Sequence, residues 1–381
     1  MDSGKQPHVV LFLTWDVSLA LWLEKGLLQR EVRLYKELAR RGVRVTLLSW
    51  GGAEDRSIAD SLAPEIETIS LYDGLIPRPQ NTVLRALCSL LVPWKVRKAL
   101  KCATVLKTNQ MWGGWVAVLA RAMFFKPLIA RCGFELYDFT VRQGHGWVRR
   151  AFIWLISALT YAAASRICVA TPEDKAFVMQ HFGQRDSKIV VHPNWIDPAV
   201  FKPSESLQKD NTVLYVGRLS AQKNLETLID ALAGTGIGLD IAGDGELREA
   251  LAARAQEQGV SVSFLGPVPN DRLPELYNSY PVFILPSHYE GNPKVLLEAM
   301  ACGRAVIGTD VPGIASVIRD GENGLLCEPE AGAMRKAIVR LMGDEALRQR
   351  LGLAAYKQIL ENQTLDRLVA MELACYRSLM P

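Results

Sequence analysis

The stretch "TVLYVGRLSAQKNLETLIDALAGTGIGLDIAGDGE" (212–246) decides the fold. Its apolar run at 212–220 reads as a buried strand, "NLETLIDALAG" (224–234) as an amphipathic helix, and 238–246 as a second strand ending in a Gly-rich turn. Near-continuous apolar strands joined through helices form parallel sheets covered on both faces. The same rhythm continues downstream with strands at 262–266, 281–287 and 305–310, separated by helices at 247–259, 273–279 and 294–303. From about residue 330 onward only helices are expected.

Upstream, "WIDPAVFKPSESLQKDN" (195–211) is polar and carries two prolines, the composition of a linker. Before it the alternation recurs, with strands expected at 8–14, 43–49, 103–108, 127–133, 165–171 and 188–194 and a helix at 29–42 closed by Gly42. The chain therefore reads as α/β, with two Rossmann-like, doubly wound parallel-sheet domains facing a central cleft. The expected divisions are 1–195, 196–360 and a terminal helical segment 361–381. At 381 residues with 49% apolar side chains, two domains with real cores are the natural size.

The net charge of +4 hides an asymmetry. Residues 1–195 carry 26 Lys+Arg against 16 Asp+Glu, and from Gly74 to Phe134 there are ten basic residues and no acid. Such a half attracts phosphorylated substrates or an anionic membrane surface. Nucleic acid is not expected as a partner, since no recognition motif accompanies the charge. The aromatics Trp94, Trp112, Trp115, Phe124 and Phe125 lie among these cations. Seven cysteines occur without a CxxC pair or a Cys/His cluster at metal spacing, which fits a reducing compartment. The apolar segment 151–165 is shorter than the ~18–20 residues a spanning helix needs, so it reads as buried or surface-lying. The opening "MDSGKQPHVVLFL" lacks the pattern of a signal peptide. A cytoplasmic location is expected, peripheral on the membrane's cytoplasmic face.

Within "SHYEGNPKVLLEAMACG" (287–303), Glu290 precedes a helix start and Glu298 lies inside the helix. Asn292 suits an N-cap and Pro293 the first helical position, which would leave exposed amide N–H groups and a positive dipole end for an anion. Carboxylates accept hydrogen bonds from sugar hydroxyls. Arg218 and Lys223, after strand 212–217, emerge at the same sheet edge and suit a diphosphate. A nucleoside diphosphate sugar carries every complementary group. "GDGELR" (243–248) lacks the third glycine of a dinucleotide fingerprint and reads as a tight turn.

The motifs "VGRLSAQKNLETLIDAL" (216–232), "IAGDGELR" (241–248), "VSFLGPV" (262–268), "LPSHYEGNPKVLLEAMACGRAVIGTDVPGIASVIRDGENGLL" (285–326) and "KIVVHPNWIDPAVFKP" (188–203) carry a resemblance. The chain resembles the GT-B glycosyltransferases of family 4, the group 1 glycosyltransferases. The resemblance implies that Glu298 holds the ribose hydroxyls of the donor, Glu290 the transferred sugar, and Arg218 and Lys223 the diphosphate. It implies that Gly291, Asn292, Pro293 and Lys294 approach sugar and phosphate. Gly217, Asp244 and Gly245 would flank the donor, and Gly266 and Val268 would line the base. Gly26 would touch the donor from the first domain, although the glycine pair usual there is a single glycine here. Arg131, Glu135 and Asp138 are the acceptor-side candidates, because the histidine common after strand 127–133 is missing. The terminal helix would return to the first domain.

The implied reaction is retaining transfer of a sugar to a glycan or lipid-linked acceptor in polysaccharide, lipid-linked oligosaccharide or related glycan synthesis. It uses no cofactor, and no metal is expected because no Asp-x-Asp pair occurs. Two competing readings keep the fold. One is a nucleotide-sugar epimerase or sugar phosphorylase; the other is a catalytically degenerate partner of an active transferase.

Overall fold

In a computed structural model, residues 6–62, 65–204 and 209–380 are described. Residues 205–208 of the expected linker lie outside them. The chain divides into two units, 1–192 with 369–381, and 193–368. The sequence reading puts the divisions at 195 and 360.

β-Branched and aliphatic side chains pack best on a pleated surface, and where both faces are covered the strand stays apolar throughout. The first unit follows that rule. Its strands are β1 (His8–Phe12), β2 (Arg44–Ser49), β3 (Ile66–Ser70), β4 (Val105–Thr108), β5 (Leu128–Cys132), β6 (Arg166–Val169) and β7 (Ile189–Val191). They form one parallel sheet in the order β3-β2-β1-β4-β5-β6-β7. The second unit holds β8 (Thr212–Val216), β9 (Gly238–Ala242), β10 (Val262–Gly266), β11 (Val282–Leu285), β12 (Ala305–Thr309) and β13 (Leu325–Cys327), ordered β10-β9-β8-β11-β12-β13. Its pairings are parallel as well, with Val213 opposite Leu239 on one side and Val282 on the other.

Every expected strand is present, and two more appear. β3 lies at a sheet edge, so "IETIS" buries only its two ends and shows no continuous apolar run. β13 has three residues, too few for a period. The expected helix 29–42 spans Leu28–Arg40, and Gly42 follows it at φ 86°, a backbone that favours glycine.

The last helix, Leu365–Arg377, delivers Glu372 into the interior of the first unit. There Lys107 on β4 donates to Glu372 Oε2 at 2.6 Å, and His192 Nδ1 lies 3.2 Å from Oε1. Both charged side chains are fully enclosed. Burial alone would raise the Glu372 carboxyl; the Lys107 ammonium and His192 overcome it and hold the carboxyl well below the usual range. The pair's contribution is therefore complete above the unfolded glutamate pKa of about 4.3 and is lost as pH falls below it. Lys107→Met strands a buried carboxylate and should cost about 3–5 kcal/mol in urea unfolding at neutral pH, whereas Lys107→Met/Glu372→Leu should recover most of that loss.

Candidate functional site

Strand order in the second sheet reverses between β8 and β11: the chain goes from β8 to β9 on one side and later returns to β11 on the other. Loops leaving neighbouring carboxyl ends diverge at such a point and open a crevice for ligands. The loops that diverge here are 217–224 after β8 and 286–293 after β11.

Each is tied to the other. The His288 N–H donates to the Gln222 carbonyl at 2.9 Å, and the Gln222 side-chain amide donates to the Tyr289 carbonyl at 2.8 Å. Between these bonds Lys223 Nζ donates to Glu290 Oε1 at 2.5 Å, and Ser287 Oγ donates to the same oxygen at 2.6 Å. Thr309, at the end of β12, donates to the Ser287 carbonyl at 2.5 Å and fixes the loop from the far side. Lys223 closes a single 3-10 turn, and Asn224 follows at φ 55°, a conformation asparagine tolerates better than most residues. The Lys223 and Glu290 side chains are only 16% and 8% exposed, so their attraction is screened far less than that of a surface pair.

Arg218 leaves β8 into solvent. The Tyr215 hydroxyl donates to its carbonyl at 3.0 Å; burial and then the Glu290 charge push that phenol well above its ordinary value, so the donor keeps its proton. Among the described residues no carboxylate pairs with Arg218 within 4.0 Å, which leaves its guanidinium fork available to an incoming anion.

Glu298 points inward. It is 2% exposed, and the Tyr277 hydroxyl donates to its Oε2 at 2.9 Å. Neither acid faces bulk water. The helix that carries Glu298 spans Lys294–Ala301, and its cap corrects the sequence reading. Pro293 occupies the N-cap position, and Asn292 makes no capping bond. Instead the Asn292 side-chain oxygen accepts from the Asn194 N–H at 2.9 Å, and the Asn194 side chain donates to the Asn292 carbonyl at 2.5 Å. The buried asparagine fastens the start of the second unit under the loop, a long-range partner that a local capping rule cannot anticipate.

The remaining rim positions interlock. The Gly217 N–H bonds to Ala242, Leu219 to Asp244 and Gly243 to Gly266, so the ends of β8, β9 and β10 are stitched together. A Cβ on Gly243 would lie 1.9 Å from the Gly217 carbonyl oxygen, and one on Gly245 would lie 2.3 Å from that of Leu219. Asp244 is exposed and accepts from the Gly245 N–H, and half-buried Val268 packs on the core beside this edge. Gly291 is also held by backbone contact, because a Cβ on Gly313 would lie 2.0 Å from its oxygen.

The other candidates belong to the first unit. Gly26, at φ 66°, ends an exposed turn. Arg131 donates to the Asn109 carbonyl at 3.3 Å, and Asp138 pairs with Arg142 at 2.7 Å. Glu135 is buried; it caps helix Leu136–Arg142 and takes the Tyr161 hydroxyl. Burial pushes its carboxyl up to about 7, and Asp174 nearby up to about 6. Among the described residues no group of three His, Cys, Asp or Glu is disposed to hold a metal ion. Ser287, Gln222, Tyr277 and Asn194 went unnoticed in the sequence; only Ser287 and Gln222 carried a signal, by adjacency to Glu290 and Lys223.

Comparison with known proteins places two family models on the chain. "Glycosyl transferases group 1" matches residues 197–358 and "Glycosyl transferase 4-like domain" matches 25–195. An uncharacterized glycosyltransferase of Methanocaldococcus jannaschii is 33% identical over 55% of this chain and 56% of its own length, so the chain spans about half of that relative. The D-inositol 3-phosphate glycosyltransferase of Acidothermus cellulolyticus is 27% identical over 84% of this chain and 78% of its own. A Campylobacter jejuni N-acetylgalactosaminyltransferase, whose name gives an undecaprenol-linked saccharide, is 31% identical over 52% and 56%. Among solved structures, sucrose-phosphate synthase of Thermosynechococcus elongatus aligns with TM-score 0.79 at 22% identity, covering 98% of this chain and 99% of that one. Anabaena HepE in complex with UDP and glucose aligns at 0.75 and 18%, covering 97% and 99%. At those identities the likeness establishes the fold, GT-B.

Gly313→Ala should push the Gly291 carbonyl aside and destabilise the chain by about 1–3 kcal/mol in urea unfolding. Gly332→Ala, in helix Ala331–Gly343 with nothing within 4 Å, serves as the control and should be unchanged or slightly stabilised.

Proposed function

Because the chain belongs to the group 1 glycosyltransferases, we propose that it moves a glycosyl group from a nucleoside diphosphate sugar to an acceptor hydroxyl, with the donor at the switch point of the second sheet. The observation that carries this is the Lys223–Glu290 contact beside the unpaired Arg218 fork. Before donor arrives, Glu290 holds Lys223 in place. A diphosphate entering beside Arg218 recruits the ammonium, and the Glu290 oxygens turn to sugar hydroxyls. Glu298, oriented by Tyr277, accepts from the ribose.

In the reaction the bond from the anomeric carbon to the diphosphate breaks, and the electron pair leaves on the phosphate oxygen. The acceptor oxygen bonds to that carbon from the same face, and its proton passes to the departing oxygen, so configuration is retained. The demand on the protein is charge stabilisation where the diphosphate departs. We assign it to Arg218, Lys223 and the helix start after Pro293 rather than to a divalent ion or cofactor. Gly291, Asn292 and Lys294 bring the loop against the donor, the rim at Gly217, Asp244, Gly245, Gly266 and Val268 receives the base, and Gly26 and the acceptor candidates Arg131 and Asp138 belong to the first unit. Glu135 acts by positioning, through its cap. The acceptor is a glycan or lipid-linked saccharide, as in the Campylobacter relative's name, and the setting is a reducing, cytoplasmic one, in keeping with seven unpaired cysteines.

Thermal-shift screening against nucleotide sugars identifies the donor without knowledge of the acceptor: one nucleotide sugar should stabilise the chain selectively. With that donor, Arg218→Ala and Lys223→Ala should each lower turnover by about 10²–10³-fold. Less than threefold change in both variants would remove the assignment.

A further inference from the structure

We propose that the first unit docks on an anionic lipid surface through the exposed apolar sides of the helical segments 82–95 and 147–163, which both pack on helix Gly114–Phe124 and carry cations along them. This exposed face lies wholly within the first unit, and its test reads lipid partition, so it stands apart from the donor reading.

Helix Trp147–Ala163 is apolar on two sides. Ile153, Ile156, Thr160 and Tyr161 are buried. Val148, Phe152, Leu155 and Leu159, spaced four, three and four residues apart, form a second stripe that is exposed throughout. Trp147, at the head of the helix, is 79% exposed. A matching stripe runs along helices Thr82–Ser89 and Val92–Lys95, where Val83, Leu87, Leu91 and Trp94 are exposed. A soluble surface scatters such side chains singly. Here 15 of the 21 exposed large apolar side chains among the described residues fall between Val83 and Leu159.

The two stripes share one scaffold. Trp115, on helix Gly114–Phe124, donates to Ser89 Oγ at 2.9 Å, and the Trp112 ring meets Phe152 edge-on at 6.4 Å. Trp112 and Trp115 therefore point into the scaffold, against Trp15, rather than joining the exposed face. The same helix ends at Phe125, 91% exposed and held at φ 54°. A bulky aromatic in that conformation is strained, and no burial within this chain compensates it.

Charge selects the occupant. Residues 83–159 carry 12 Lys+Arg and two acids, Glu135 and Asp138; Glu135 is buried and Asp138 is paired with Arg142. Lys95, Arg97, Lys98 and Lys101 are exposed beside Trp94, and Arg97 stacks over its ring at 5.3 Å. Protein interfaces deplete lysine, whereas the headgroup region takes tryptophan at its boundary and lets lysine and arginine reach anionic phosphates. No helix among the described residues is long and apolar enough to cross a membrane, so helix Trp147–Ala163 would lie in the interface plane.

Flotation of the full chain with phosphatidylcholine vesicles, and with the same lipid containing phosphatidylglycerol, tests the proposal. Binding should favour the anionic vesicles by about tenfold or more at low salt and fade as salt rises. Phe152→Asp/Leu155→Asp should abolish it with thermal unfolding unchanged. Lys98→Glu/Lys101→Glu, confined to exposed lysines, should lose the anionic preference, and it decides the matter should the first variant fail to fold. No flotation, equal flotation with both lipids, or variants that bind as the parent does would overturn the proposal. So would self-association by light scattering that Phe152→Asp/Leu155→Asp abolishes in the absence of vesicle binding, since the face would then belong to a second copy.

Discussion

The ion pair between Lys223 and Glu290 is the contact on which the site's arrangement depends. It joins the loops after β8 and β11, two strands that are neighbours in the sheet and 65 residues or more apart in the chain. With only small fractions of either side chain exposed, the attraction operates in a poorly screened environment. It also leaves an asymmetry. The acid is held by Lys223 and Ser287, while the neighbouring guanidinium of Arg218 has no acid of its own among the described residues. An anion fits that arrangement where a cation would not.

Much of the rigidity around the pair also comes from backbone. The carboxyl ends of β8, β9 and β10 exchange main-chain hydrogen bonds, and glycines at 243, 245 and 313 allow carbonyls to approach where a Cβ would collide. Such contacts fix positions at little cost in side-chain entropy, which suits the proposed reaction, where the rim's cations are pre-placed for charge that develops as a bond breaks. The first unit is anchored differently, by the Lys107–Glu372 ion pair with His192 beside it, enclosed in its interior. One member of that pair comes from the last helix, so the end of the chain is part of the first unit's stability.

How much of this the sequence announced depends on whether each determinant is local. Buried strands announced themselves through unbroken aliphatic runs such as "TVLYV" and "VFIL". The edge strand Ile66–Ser70 did not, because an edge keeps polar residues within its run. Glu290, Arg218 and Lys223 were legible as charges at strand ends. Asn292 was misread: proximity to Pro293 suggested a cap, whereas its partner is Asn194, 98 positions away. Tyr277 against Glu298, and Lys107 against Glu372, were invisible for the same reason, since a buried pair across a fold leaves no spacing rule. The exposed stripe at 148–159 was half visible. Its apolarity was plain, but only packing shows which of its two faces is covered.

The central claim is that Lys223 is held by Glu290 in readiness for a diphosphate. Calorimetric titration with a panel of nucleoside diphosphates and their monophosphates tests it most directly, in the parent chain, Lys223→Ala and Glu290→Gln. The account predicts that one diphosphate binds the parent about tenfold or more tighter than its monophosphate, that Lys223→Ala erases this difference, and that Glu290→Gln, which frees the ammonium, preserves it. A Lys223→Ala chain that still distinguishes diphosphate from monophosphate as the parent does would contradict it.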